Sequence, residues 1–353
     1  LVVVAGEDAA LAFAQQMAAY LGDERVMRFP ERFDSPYSSK AVDPACVAKR
    51  LAAAHALADG RDVVVVASAR ALLRLLPPAK DKVFVPLSLT AGMELADMPG
   101  AQQASVTEFE DIAQSLVDRG YANTGELDGP GTFCVRGGTI DVYPGNLVYP
   151  VRLDFFGDEL DEIRRIVPTT GQTIQALPSV DIYPVREYSC SARSLARARK
   201  KLEVPARTNP VLRDMLEKLD GGLRFEGADA LLPYLHDGLQ TLGGYMPADA
   251  QTALVEPRSL FDDASHLYEE LAARAKGSSI PVDDLYCHPS RISFGDNQRA
   301  TYVSIMRVGG QIDDELPVKR VEVAGHPDKL FGRLRSLLEA DHTVVFSSPN
   351  LRA

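Results

Sequence analysis

The sequence predicts an α/β protein, a parallel-sheet domain interrupted by a small α+β domain. Three observations predict it. Strands and helices alternate through the first hundred residues. One helix followed by consecutive hairpins fills residues 101–186. Helix–strand alternation then returns. The expected layout is a first half-domain at 1–100, an inserted α+β domain at 101–186 and a second half-domain at 187–320. A further α/β unit is expected to begin at 321–353.

The elements follow in order. Residues 1–4 form a short buried-type strand, and 9–21 carry helical spacing at Leu11, Phe13, Met17 and Tyr20. Residues 26–29 make the next strand. A loop over 30–44 holds two aromatic anchors, Phe33 and Tyr37. Asp43 caps a helix whose first residue is Pro44 and which runs to Ala58, with Gly60 as its stop. Four consecutive valines within 62–67 mark a strand covered on both faces. Ser68 caps a short helix ended by Pro77-Pro78, and 82–89 is read as one more strand. Ser105 and Glu108 read as a capping box opening a helix to Arg119, closed by Gly120.

The stretch at 131–168 organises the rest. Residues 132–143 read as two strands joined at Gly137-Gly138. Residues 151–156 alternate strictly: Val151, Leu153 and Phe155 face one way, Arg152, Asp154 and Phe156 the other. Gly157-Asp158 turns the chain into a return strand over 159–167. Phe156 is a bare ring on a charged face. It reads either as a side chain tucked under a loop or as an interface anchor. Further on, helices are expected at 191–202, 209–219, 228–235, 257–276 and 328–340. Strands are expected at 253–256, 301–306, 318–323 and 343–347. The helix at 191–202 bears Arg193, Arg197, Arg199, Lys200 and Lys201, read as a solvated charged face.

Composition bounds the function. The chain has 353 residues and a net charge of −11, which argues against a general nucleic-acid surface. No apolar run approaches a membrane span, and no N-terminal basic-then-apolar segment looks like a signal peptide. Cys46, Cys134, Cys190 and Cys287 are scattered without metal spacing, as in a reducing cytoplasm. A chain that opens inside a strand without Met reads as a piece of a longer protein.

Strand–helix alternation invites a search for phosphate-binding residues. After the first strand comes Ala5-Gly6-Glu7-Asp8, with one glycine, no Lys, no Ser or Thr, and two carboxylates where phosphates would sit. At a later strand end, Leu254-Val255-Glu256-Pro257 lacks the Asp of a motor's acidic pair. The fold is therefore read as a degenerate nucleotide-binding fold, with no cofactor, no metal and no catalytic residue. Cys287-His288 has no completing ligands nearby, and no nucleophile elbow is present.

The runs PGTFCVRGGTIDVYP and PVRLDFFGDELDEIRR resemble the N-terminal region of bacterial transcription-repair coupling factors, itself similar to the excision-repair subunit UvrB. FPERFDSPYSS, RLAAAHALADGRDVVVVASARALLRLLPP and ALVEP extend the similarity over nearly the whole chain. The resemblance implies an inserted domain that docks the damage sensor UvrA. It implies partner-binding roles for Arg136, Arg152, Asp154 and Phe156. It places RNA polymerase binding and DNA translocation in domains beyond this chain. Two features depart from the family pattern: the short GNLVYP segment and the basic helix. Within the docking face, Asp154 is expected to hold Arg152 in place, because alternate residues on one strand face are close enough to touch.

Overall fold

The computed structural model describes residues 1–37, 40–221, 225, 227–292, 300–304 and 327–341. It falls into two units, Leu1–Val303 and Ser304–Ala353.

The first unit begins with β1 (Val2–Val4), α1 (Glu7–Leu21), β2 (Val26–Phe29), α2 (Pro44–Ala58) and β3 (Val64–Ser68). The Asp43 carboxylate accepts from Ala45 N at 2.9 Å, so α2 starts where its cap and proline require. After β3, Ser68 Oγ accepts from Ala71 N at 3.1 Å, but the element it opens is a single 3₁₀ turn, Arg70–Leu72.

Next come β4 (Leu87–Thr90), β5 (Met93–Glu94), α3 (Pro99–Gln103) and α4 (Phe109–Asp118). Two expectations are corrected here. The strand expected at 82–89 does not join the parallel sheet; β4 pairs antiparallel with a strand at Ser179–Ile182. Ser105 does not cap a helix; it sits at φ 56°. Glu108 is the N-cap, and Asp111 completes the box by accepting from Thr107 N and Glu108 N at 2.9 and 3.1 Å. An Asp three residues past the cap can satisfy two orphan amides at once, which the Ser105 start cannot offer.

The inserted stretch continues with β6 (Ala122–Asn123), β7 (Thr132–Arg136), β8 (Thr139–Tyr143), β9 (Val151–Phe156), β10 (Glu159–Ile166), β11 (Thr173–Leu177) and β12 (Ser179–Ile182). The order β11-β10-β9-β8-β7-β6, with β5 also on β10, makes a seven-stranded sheet. It is antiparallel apart from the β6–β7 pair. One face is core: Phe133, Ile140, Val142, Val151, Leu153, Leu160 and Ile163 are all buried, with Ile112 and Leu116 of α4 in the same core.

The chain then forms α5 (Ala192–Leu202), α6 (Pro205–Thr208), α7 (Pro210–Asp220), α8 (Leu232–Leu235), β13 (Thr252–Val255), α9 (Pro257–Arg274) and β14 (Ala300–Val303). A parallel sheet in the order β14-β13-β1-β3-β2 joins the two ends of the unit. β1 and β13 are 250 residues apart in sequence yet neighbours in one sheet, with Val2 opposite Ala253. In the second unit the described element is α10 (Pro327–Glu339). The strands expected at 318–323 and 343–347 lie outside the described residues. Among the described residues no helix is long and apolar enough to cross a membrane.

The basic helix α5 is tied inward more than expected. Arg197 donates to Leu235 O at 2.7 Å and pairs with Asp237 at 2.7 Å. Lys201 donates to Pro233 O at 3.0 Å and His236 O at 3.1 Å, and Arg199 pairs with Asp220 at 2.8 Å. Arg197 and Lys201 meet the carbonyl end of α8, as the helix dipole favours, while Arg199 meets the last residue of α7. Three of the five are thereby occupied within the fold.

The junction where the inserted stretch returns to the parallel-sheet side is closed by a buried ion cluster. Arg32 Nη1 donates to Glu187 Oε2 at 2.8 Å, and Arg32 Nη2 to Asp229 Oδ2 at 3.0 Å. Arg50 Nε donates to Glu187 Oε1 at 2.6 Å, and Arg74 Nε lies 3.4 Å from Glu187 Oε2. Asp34 completes the set through Arg32 Nε at 3.0 Å. All six groups are buried. Three positive and three negative charges cancel, which is the condition for keeping them out of water.

Burial pushes the Glu187 carboxyl upward, but Arg50, Arg32 and Arg74 outweigh it and bring it down to about 2. A depressed carboxyl contributes stability above its unfolded value of about 4.5 and loses it as pH falls toward about 2. Glu187→Ala should cost about 3–5 kcal/mol, because three guanidinium groups lose their shared anion. Urea unfolding at neutral pH measures this. The gap between parent and Glu187→Gln should narrow as pH is lowered from about 4 to about 2.

Candidate docking face

The sheet face opposite the core carries polar and charged side chains in cross-strand rows. Asp141, Arg152 and Arg164 lie opposite one another on β8, β9 and β10, and Thr139, Asp154 and Glu162 form the next row. Arg152 grips Asp141 with two hydrogen bonds, Nε to Oδ1 at 2.7 Å and Nη2 to Oδ2 at 2.8 Å. The planar guanidinium and carboxylate match in this two-point contact. Arg152 is held above its usual range first by the Asp141 hydrogen bond, which outweighs partial burial, with Asp154 adding by charge.

Asp154 therefore does not hold Arg152 as expected. It accepts from Arg164 Nε at 2.9 Å and from Thr139 Oγ1 at 3.0 Å. The reason is geometric. Residues directly opposite on neighbouring strands lie nearer than residues two apart on one strand, so Asp141 reaches Arg152 first. Arg164 and Asp141 were missed because neither lies in the alternating run of β9. A cross-strand register, which one strand's sequence does not reveal, brings them in.

Phe156 ends β9 opposite Glu159 and is 83% exposed. The reading in which a loop buries it is overturned. Its neighbour Phe155 turns to the core side and packs edge-on against Phe109 at 5.2 Å. Arg136 ends β7, is exposed, and donates through Nη2 to Gly125 O at 2.9 Å. Both residues stand at tight two-residue hairpins. Arg136 pairs with Thr139 across Gly137 (φ 60°), and Phe156 pairs with Glu159 across Gly157 (φ 65°). Phe155 N donates to Gly138 O at 2.8 Å, which brings the two hairpins side by side. Arg136, Arg152 and Asp154 line one shallow recess with Cys134, Thr139 and Asp141. Phe156 stands at the hairpin end of the same face. The structure thus brings all four sequence-selected residues onto one solvent-facing surface.

The nucleotide-type edge of the parallel sheet is arranged differently. Glu7 begins α1, pairs with Arg28, and accepts from Glu31 N at 3.0 Å. Glu31 is buried and pairs with Arg70 at 2.9 Å, and Arg70 reaches Asp263 at 3.5 Å. Burial holds the Glu31 carboxyl above its usual range despite Arg70. The crevice beside Gly6 is lined by Asp262, Asp263, Glu269 and Glu270, with Arg70 and His266. At a helix N-terminus that favours anions, the protein supplies its own.

Comparison with known proteins places these features. Residues 102–188 match the family described as UvrB interaction domain. A transcription-repair-coupling factor of Myxococcus xanthus is 32% identical over 327 residues, covering 87% of this chain and 26% of that protein. The corresponding factor of Mycobacterium tuberculosis is 28% identical over 373 residues, covering 100% of this chain and 28% of that protein. UvrABC system protein B of Clostridium acetobutylicum is 32% identical over 156 residues, covering 44% of this chain and 22% of that protein. The chain spans about a quarter of the coupling factors it matches. Residues 102–188 thus carry a UvrB interaction domain, and along its length the chain is similar to transcription-repair-coupling factors.

Proposed function

We propose that this chain is a non-catalytic recruitment module of a transcription-coupled repair factor. It docks the excision-repair protein UvrA through the outer face of β7 to β10. The observation that carries the reading is Phe156, a fully presented ring beside an ordered ladder of Arg–carboxylate pairs, on a sheet whose other face is core. Aromatic and Arg anchors are the usual energetic centre of a protein–protein contact. In this reading residues 101–186 present the face, and the parallel-sheet part of the first unit forms its platform. Arg136 and Arg152 meet carboxylates of the partner, Asp154 fixes Arg164, and Phe156 excludes water. Contacts with RNA polymerase and DNA belong to parts of the relatives outside this chain.

The binding test uses the chain and purified UvrA in calorimetry. Arg152→Ala and Phe156→Ala should each weaken binding by about thirtyfold, about 2 kcal/mol, with melting temperature nearly unchanged for Phe156→Ala. Parent-like binding by both variants would remove the docking assignment.

The same reading gives the parallel-sheet edge no nucleotide chemistry, because Glu7, Glu31 and the carboxylates of α9 occupy the place of phosphates and their counter-charge. Titration with ATP and magnesium should show no binding. A dissociation constant in the low micromolar range, about −8 kcal/mol, would contradict it.

A further inference from the structure

The docking sheet ends on an edge strand with an unusual composition. β11 reads Thr173-Ile174-Gln175-Ala176-Leu177, with no charge and no proline, and its first four residues are exposed. Among the described residues it pairs with β10 alone. Sheets ordinarily protect such edges with Lys, Pro or a very short strand. The opposite edge of this sheet follows that rule, since β6 has two residues. β11 does not.

The register ties this edge to the docking face. Ala176 lies opposite Arg164, and Arg164 opposite Arg152, so the row Asp141–Arg152–Arg164 ends on Ala176. Ile174, 45% exposed, is the unpaired residue of the bulge, between Gln175 opposite Arg165 and Thr173 opposite Ile166. A body seated on Arg152 and Phe156 therefore meets a free row of backbone donors and acceptors two strands away. Two neighbouring strands lie about 5 Å apart, so the edge is about 10 Å from β9, well inside a standard protein–protein footprint.

From this geometry we infer that UvrA adds an extended segment to β11 as an eighth strand, in continuity with the docking face. The incoming segment is apolar where it meets Ile174 and Ala176. Its main chain supplies hydrogen bonds and its side chains supply selectivity. The inference rests on the docking reading above, and the experiment separates the two.

Residue-resolved amide exchange is measured on the whole chain, alone and with UvrA at about ten times its dissociation constant. Strand addition predicts slowing of about tenfold at alternate amides within 173–177, those directed away from β10, with the others unchanged. Ile174→Lys should weaken binding about tenfold without lowering the melting temperature. Unchanged exchange across β11 while UvrA binds and Arg152→Ala abolishes binding would overturn strand addition and leave the docking face standing. Uniform slowing of all five amides would also overturn it, since simple coverage does not select alternate groups. Slowing that appears in the chain alone as its concentration rises would assign the edge to a second copy instead. Alternate-amide slowing with parent-like binding by both Arg152→Ala and Phe156→Ala would support the edge and remove the face.

Discussion

The fold depends on one electrostatic constraint. Three guanidinium groups and three carboxylates are buried together where the chain leaves the inserted sheet and rejoins the parallel one. Their sequence origins are distant: Arg32 and Asp34 follow β2, Arg50 lies in α2, Arg74 follows β3, Glu187 follows β12, and Asp229 precedes α8. No pair of these is stable alone out of water, so the cluster forms only when all these segments are in place. It is therefore a statement about topology as much as about energy. Arg50 adds a cation–π contact, its guanidinium 4.0 Å from the centre of the Phe29 ring at the end of β2.

The outer face of β7 to β10 takes its order from its own register. An exposed Arg loses rotamer freedom when it binds a partner, and that loss subtracts from affinity. Here Arg152 is already fixed by Asp141, and Asp154 is fixed by Arg164 and Thr139. Arg152 can accept a partner carboxylate only by sharing or exchanging Asp141, whereas among the described residues Arg136 donates only to Gly125 O. The two arginines are not equivalent. Arg152 sets geometry within the face, and Arg136 offers the more available charge at its hairpin end.

Much of this was legible in the sequence. Period-two alternation over 151–156 identified both faces of β9, because one side must meet a core and the other need not. Gly137 and Gly157 marked their turns because each sits at positive φ, where a glycine is free of strain. Asp43-Pro44 placed the start of α2. What was not legible had a shared cause. Asp141 on Arg152, Arg164 on Asp154 and β4 on β12 are all pairings between strands, and a register is a property of two segments at once. The ion cluster was hidden for the same reason, since each member alone reads as an ordinary surface charge. Ser105 misled because the pattern Ser-x-x-Glu is met there by chance, while the amides at Thr107 and Glu108 find Asp111.

The two sheets also differ in what they can offer a partner. The parallel sheet is flanked by helices and presents its strand ends, where Glu7 is paired with Arg28 and Glu31 with Arg70. The inserted sheet is mostly antiparallel and covered on one face, so its second face is free by construction. A surface for recognition must come from the second kind. The ladder pairs Arg152 with Asp141 and Arg164 with Asp154 within the face. Phe156 is left as the element whose exposure the fold does nothing to relieve. That asymmetry, satisfied charges around an unsatisfied ring, is the physical content of the docking reading.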